Sequence, residues 1–160
     1  MTVHAALTAR GLTLATAESL TGGLVGHLIT SIPGASGYYR GGIVAYATEV
    51  KSSVLGVDAL LLGRYGPVSP QVATAMATAA RELFAADIGL STTGVAGPIE
   101  QDGQPVGTLF IGISGPFGTQ CVALRGDAAE GRNSIRAWAA GEALNTLGDA
   151  LSTPDTTIRS

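Results

Sequence analysis

Polar side chains follow three predicted strands of this chain, at the point where each strand ends. The three groups are Glu18, Ser19, Thr21, Gly22 and Gly23; Tyr46, Thr48, Glu49 and Lys51; and Thr92, Thr93, Gly94 and Gly97. α/β sheets bind ligands at the carboxyl ends of their strands, and a serine can become a nucleophile beside a lysine of lowered pKa. Each residue taken alone has a structural explanation as a helix cap, a turn glycine or a solvated lysine. Three such groups at successive strand ends predict a site, and a serine activated by a lysine is the nucleophile arrangement that these residues permit.

Other catalytic arrangements are not supported by the sequence. His4 and His27 fall in predicted helices with no Cys, Asp or Glu at ligand spacing, so no metal site is expected. Neither histidine lies in a strand-end loop, where the base of a Ser-His-Asp triad is usually presented. The chain also lacks G-x-G-x-x-G after its first strand and G-x-x-x-x-G-K-[ST], so neither dinucleotide nor P-loop binding is expected.

The first polar group belongs to a predicted strand, turn and helix over residues 12–32. Residues 12–16 alternate and include threonines, which predicts a buried strand. Apolar residues at helical spacing follow: Leu24, Val25, Leu28, Ile29 and Ile32. The free N–H groups and the positive dipole end of such a helix favour an anion, and Gly22 and Gly23 allow a ligand close to the backbone. An anion is therefore expected at this helix entrance.

The remaining elements are predicted from caps, breaks and periodicity. Helices are expected over residues 3–10, 48–55, 58–65, 71–85 and 132–147, and strands over 43–47, 87–93, 106–114 and 119–124. Ser69-Pro70 marks the start of the fourth of these helices, whose small residues suit close packing on a sheet. Helices and strands that alternate before a terminal hairpin predict an α/β fold, a three-layer α/β/α sandwich with a mixed, mostly parallel sheet. Residues 1–151 are expected to form a single domain, and residues 152–160 a polar, disordered tail.

Composition narrows the class of protein. Of 160 residues, 46% are hydrophobic and only 13% are charged, which is typical of a packed globular chain. A net charge of −3 gives no reason to expect nucleic acid, which needs a basic face. The single Cys121 is expected to be a buried small hydrophobe. No signal peptide and no membrane-spanning run are found, so a cytoplasmic location is expected.

The sequence resembles a known family at several motifs. Residues 17–23, AESLTGG, resemble the A-E-S-C-T-G-G motif of the CinA C-terminal domain family, whose enzymes are nicotinamide-nucleotide amidohydrolases, also called NMN deamidases. Further matches follow in the same order along nearly the whole chain. They occupy residues 33–36, 40–46, 48–51, 55–57, 65–69, 93–98 and 105–108.

This resemblance implies hydrolysis of the carboxamide of nicotinamide mononucleotide (NMN) to nicotinate mononucleotide and ammonia, in NAD salvage, without a metal or cofactor. It implies Ser19 as the nucleophile, Lys51 as its general base, and Tyr46 and Thr93 as further catalytic hydroxyls. The Gly22–Gly23 helix entrance and Arg132 are expected to hold the phosphate. Substrate-binding residues implied in this way are Glu18, Thr21, Gly22, Gly23, Thr48, Gly94, Gly97 and Arg132. The resemblance further implies a homo-oligomer with a small nucleotide substrate. The family often links this domain to a larger N-terminal one, and because the first strand comes so early in the chain a stand-alone form is expected. From charge and hydropathy, no nucleic-acid or membrane partner is expected.

Four segments depart from the family pattern. Leu20 replaces the usual Cys, Thr48 replaces the usual Asn, and residues 99–104 lack a glycine run. An insertion also separates Asp127 from Arg132, which is matched to the motif arginine because Arg136 keeps the expected spacing from it. Two alternatives therefore stay open: a non-catalytic paralogue that binds a nucleotide or a protein partner, and an amidase for another small amide.

Overall fold

The computed structural model describes residues 2–152, whose helices and strands begin and end where local chemistry requires. The helices are α1 (Val3–Arg10), α2 (Leu24–Thr30), α3 (Thr48–Ser53), α4 (Ala59–Tyr65), α5 (Pro70–Leu83) and α6 (Arg132–Ser152), and the strands are β1 (Leu14–Glu18), β2 (Tyr39–Val44), β3 (Ile88–Gly94), β4 (Thr108–Gly115) and β5 (Gly118–Arg125). The Ser69 side chain caps α5 by accepting a hydrogen bond from the amide of Val72, as its Ser-Pro start predicts. Gly11, at φ +61°, ends α1 in the left-handed region.

The five strands pair in the order β2-β1-β3-β4-β5 within the described residues. β1 is parallel to both β2 and β3, whereas β3–β4 and β4–β5 are antiparallel. The predicted mixed α/β sandwich is confirmed, but parallel pairs do not predominate, because the terminal hairpin adds as many antiparallel neighbours. The parallel strands direct their carboxyl ends to one edge of the sheet, so the residues that follow them are brought together.

Two apolar cores hold the three layers together. On one face α1, α2 and α6 pack against β1, β3 and β4; on the other, α4 and α5 pack over β1 and the end of β2. α5 approaches the sheet so closely that a Cβ at Gly89 would overlap the carbonyl oxygen of Ala77, and one at Gly112 that of Ala73. The small residues of α5 therefore serve close packing, as predicted, and the helix fixes the strands below it.

Several predicted boundaries differ from the structure. β1 starts two residues later than expected and continues through Glu18. The second strand was predicted as buried over residues 43–47, but β2 spans Tyr39–Val44 and is an edge strand with alternating exposure. The start of this strand was not predicted because it contains two glycines, at positions 41 and 42, and glycine is unusual in strands. A Cβ at position 42 would collide with the Thr16 hydroxyl, which explains why this position is a glycine.

The two ends of the chain also modify the prediction. α6 continues to Ser152, five residues beyond its predicted end, so Ser152 is helical and does not belong to the tail. The rest of the predicted disordered tail, residues 153–160, lies outside the described residues. Over residues 2–152, every helix is too short or too polar to cross a bilayer.

Candidate functional site

A cavity of about 400 Å³ opens where β1 and β3 end. Most of the predicted site residues line it: Ser19, Tyr46, Thr48, Lys51, Thr93, Gly94, Gly97 and Arg132. They come from four separate parts of the chain, which the parallel strands and the start of α6 bring together. Within residues 2–152, no three His, Cys, Asp or Glu side chains are grouped closely enough to hold a metal ion.

Ser19 is the first residue after β1, and its backbone is tied to the neighbouring strand. Its amide donates a hydrogen bond of 3.0 Å to the carbonyl oxygen of Thr92, the residue that lies beside Glu18 on β3. The Ser19 side chain is only 9% exposed. The hydroxyl therefore has a fixed position at the base of the cavity.

Lys51 reaches the same point from α3. Its side chain is 1% exposed, and its Nζ donates to the Ser19 hydroxyl oxygen at 3.2 Å and to the carbonyl oxygen of Ala45 at 2.8 Å. Burial lowers the pKa of Lys51 to about 8, and the charge of Glu49 opposes this shift. An appreciable fraction of this lysine is therefore neutral near pH 7, and a neutral amine can take the proton of Ser19.

Arg132 closes one side of the cavity. Its guanidinium donates one hydrogen bond to the Tyr46 hydroxyl and another to the carbonyl oxygen of Gly97. These contacts join the start of α6 to the loops that follow β2 and β3. The insertion before Arg132 forms a short 3-10 turn, Ala128–Glu130, capped by the Asp127 carboxylate, so it leaves Arg132 at the cavity.

Thr93 is fully buried, and its hydroxyl donates at 2.7 Å to the carbonyl oxygen of Pro67, another residue that lines the cavity. With its proton used in this way, Thr93 can accept but not donate a hydrogen bond at the cavity. Gly94 is required by space, because a Cβ there would overlap the carbonyl oxygen of Thr108. Thr48 is exposed at the rim.

The helix entrance at Gly22 and Gly23 is arranged differently from the expectation. The buried Glu18 carboxylate accepts hydrogen bonds from the amides of Gly23 at 3.0 Å, Val25 at 3.0 Å and Gly26 at 2.9 Å, and from the Thr21 hydroxyl at 2.6 Å. The protein's own carboxylate thus takes the position at which an external anion was expected. Glu18, Thr21, Gly22 and Gly23 do not line the cavity, so the structure does not bring these four together with Ser19 and Lys51 as a ligand site.

Comparison with known proteins decides the family. The CinA C-terminal domain family matches residues 1–151. The chain belongs to this family.

CinA relatives are similar both in sequence and in structure. A CinA-like protein of Frankia casuarinae is 53% identical over 143 residues, which cover 88% of this chain and 32% of that protein. A CinA-like protein of Synechococcus is 46% identical over 93% of this chain and 36% of that protein. The chain thus spans about a third of the length of these curated relatives. A CinA superfamily structure from Klebsiella pneumoniae matches with a TM-score of 0.89 and 32% identity, covering 94% of this chain and 93% of that one.

Two contributions to this CinA site were not predicted from sequence. Arg136 donates to the carbonyl oxygens of Leu20 at 2.9 Å and Thr21 at 3.2 Å, so it braces the turn that carries Ser19. Pro67 and Val68 line the cavity although they follow no predicted strand end, and residues 99–101 lie farther along the loop after the third predicted strand. Polar groups directly after strands do not indicate apolar walls or residues farther along a loop, whereas the spacing of Arg136 to Arg132 was a usable signal.

Proposed function

We propose that this CinA-family chain is a nicotinamide-nucleotide amidohydrolase that converts NMN to nicotinate mononucleotide and ammonia. The observation that carries the proposal is the 3.2 Å contact between Lys51 Nζ and Ser19 Oγ at the base of the cavity, together with the burial of that lysine. A serine paired with a lysine of lowered pKa is suited to acyl transfer from an amide.

In the proposed first step, neutral Lys51 removes the hydroxyl proton of Ser19 while the serine oxygen attacks the carbonyl carbon of the carboxamide. A tetrahedral intermediate with a negatively charged oxygen results. Protonated Lys51 then gives the proton to the amide nitrogen, the C–N bond breaks, and ammonia leaves an ester on Ser19. Lys51 then takes a proton from water while the water oxygen attacks this ester. As the ester C–O bond breaks, Lys51 returns that proton to the Ser19 oxygen, and the carboxylic acid product loses its own proton to solvent.

The negatively charged oxygen needs hydrogen-bond donors. Leu20 follows the nucleophile directly and lines the cavity, and within residues 2–152 its amide donates to no acceptor. This amide is the donor that the turn offers to a developing oxyanion. Arg136 and the Glu18 carboxylate hold the turn in place, so the Leu20 amide does not have to be reorganised during the reaction.

Arg132 is the proposed phosphate anchor. Its two observed acceptors are neutral oxygens, so its charge is available to a phosphate, which is a much stronger acceptor. With Glu18 occupying the α2 entrance, we assign the phosphate to Arg132 alone. A phosphate anchored at Arg132 would help to position the carboxamide over Ser19.

The experiment that tests this proposal is the measurement of ammonia released from NMN by the purified protein. Ser19→Ala is expected to abolish turnover while NMN still binds; Ser36→Ala, which removes an exposed hydroxyl, is the matched control. Unchanged turnover in Ser19→Ala would remove Ser19 from the mechanism. Binding without ammonia release from wild-type protein would support a non-catalytic role, and turnover of amides that lack phosphate would support a different amidase.

A further inference from the structure

The loop between β3 and β4 has a defined conformation that forms one wall of the cavity. Gln101 and Gln104 form a reciprocal pair of backbone hydrogen bonds, at 3.1 and 2.8 Å. Between them Asp102 and Gly103 both have positive φ, +49° and +74°, as in a two-residue type I′ hairpin. Residues 101–104, within the segment 99–104 that lacks a glycine run, therefore form a small hairpin, and Ile99, Glu100 and Gln101 line the cavity.

Charges of both signs line this cavity. Lys51 and Arg132 bring two cationic groups, and their hydrogen bonds go to uncharged oxygens. Glu100, on the wall that this loop forms, has no hydrogen-bond or ion-pair partner within residues 2–152. The cavity therefore presents an unpaired carboxylate on one wall and cations elsewhere. This pattern fits a ligand that carries a positive and a negative charge at separate points.

We propose that Glu100 is a specificity-determining residue that selects substrates whose aromatic ring is positively charged. The inference rests on the proposed function, in which the carboxamide lies at Ser19 and the phosphate at Arg132. The ring and sugar then span the cavity between these two points, and Glu100 lines the same cavity. Ile99, which is 78% exposed, offers an apolar contact next to the carboxylate. A pyridinium ring combines a cation with an apolar face and suits both side chains.

Two forms of one ligand differ in ring charge and, with it, in ring aromaticity, and are otherwise alike. NMN has a cationic pyridinium ring, whereas its dihydropyridine form has the same carboxamide, ribose and phosphate on an uncharged ring. Dissociation constants of both are measured by calorimetry on Ser19→Ala protein, so that no hydrolysis intervenes. Glu100→Gln is added to this background, and Asp102→Asn is the matched control, because it removes a carboxylate from the same loop outside the cavity and Asn tolerates positive φ.

We expect Glu100→Gln to weaken NMN binding about two- to fivefold, the range of a solvent-exposed ion pair, and to leave the dihydropyridine form unchanged. Asp102→Asn should change neither, and 0.5 M salt should reduce the effect of Glu100→Gln. In the otherwise wild-type enzyme, Glu100→Gln should raise the KM for NMN by a similar factor with kcat nearly unchanged.

An equal loss for both ligand forms would overturn the inference, since it would assign Glu100 to the sugar instead of the ring. No change for either form, or no binding of either form, would also overturn it. The proposed function fails separately: if wild-type protein releases no ammonia from NMN, hydrolysis is excluded. A charge preference that still depends on Glu100 would then support the inference for a binding protein.

Discussion

The titration of Lys51 is the sharpest prediction, because Lys51 is the only lysine in the chain. Protein labelled with ¹³C-lysine gives a single lysine side-chain signal, whose shift can be followed from pH 6 to pH 11. We expect a midpoint near 8, since burial lowers the pKa of Lys51 to about 8. The acidic limb of kcat/KM for ammonia release should have the same midpoint, because the neutral amine is the proposed base.

The same shift has a consequence for stability. A fall from 10.5 to about 8 corresponds to roughly 3 kcal/mol against the charged form in the folded protein. Between pH 8 and 10.5 the unfolded chain holds this proton and the folded chain has released it, so the free energy of unfolding rises with pH in this window. In the Lys51→Met variant the free energy of unfolding should not rise with pH in this window. Compared at pH 7 by urea denaturation, the variant should be more stable than wild type by about 1–2 kcal/mol, since the loss of two hydrogen bonds offsets part of the gain.

The control for the titration is the neighbouring carboxylate. Glu49 raises the pKa of Lys51, so Glu49→Gln should lower the midpoint below that of wild type and increase the relative activity below pH 7. Glu82→Gln removes an exposed carboxylate on α5 and should leave the midpoint of the Lys51 titration unchanged. A lysine signal that titrates near its ordinary pKa of 10.5 would refute the reasoning, and so would an activity limb unaffected by Glu49→Gln.

Two further predictions concern the groups around the dyad. Arg132→Ala should raise the KM for NMN roughly tenfold or more, the effect of losing a charged hydrogen bond, and should barely change that for nicotinamide riboside, which has no phosphate; Arg64→Ala is the exposed control, and an equal effect on both substrates would contradict the assignment. Glu18→Gln should lower the free energy of unfolding by roughly 1–3 kcal/mol, measured with urea, because an amide group cannot accept all four of its hydrogen bonds. It should also lower kcat more than it changes KM, and full kcat at reduced stability would show that the Ser19 turn does not depend on Glu18.

Local patterns predicted the elements with distinct ends. The Ser69 cap, the Gly11 stop and the small residues of α5 are signals within a few residues, and they gave the correct helices. Topology then placed Ser19 and Lys51 at one sheet edge although they are 32 residues apart. Their contact and the lowered pKa of Lys51 depend on burial, which periodicity does not supply.

The Glu18 network shows what sequence reasoning could not reach. The glycines and the helix start correctly indicated free amides, but which anion meets them depends on where the Glu18 side chain turns. Because β1 continues through Glu18, that side chain ends up against α2 and not in the cavity. The predicted second strand was placed too far along the chain for a related reason. The glycines of β2 are explained only by contacts with residues distant in sequence, such as Thr16 and Phe84.

The Glu18 carboxylate also neutralises the positive end of the α2 dipole in the unliganded protein. Buffer phosphate or sulfate should find no vacancy there, so inhibition by inorganic anions should depend on Arg132 and disappear with it. The charged and polar groups around Ser19, among them Lys51, Arg136 and the Glu18 carboxylate, are likewise in place before any substrate binds. In the proposed mechanism the nucleophile is therefore preorganised, because Ser19, its base Lys51 and the amide of Leu20 need no ordering by the ligand.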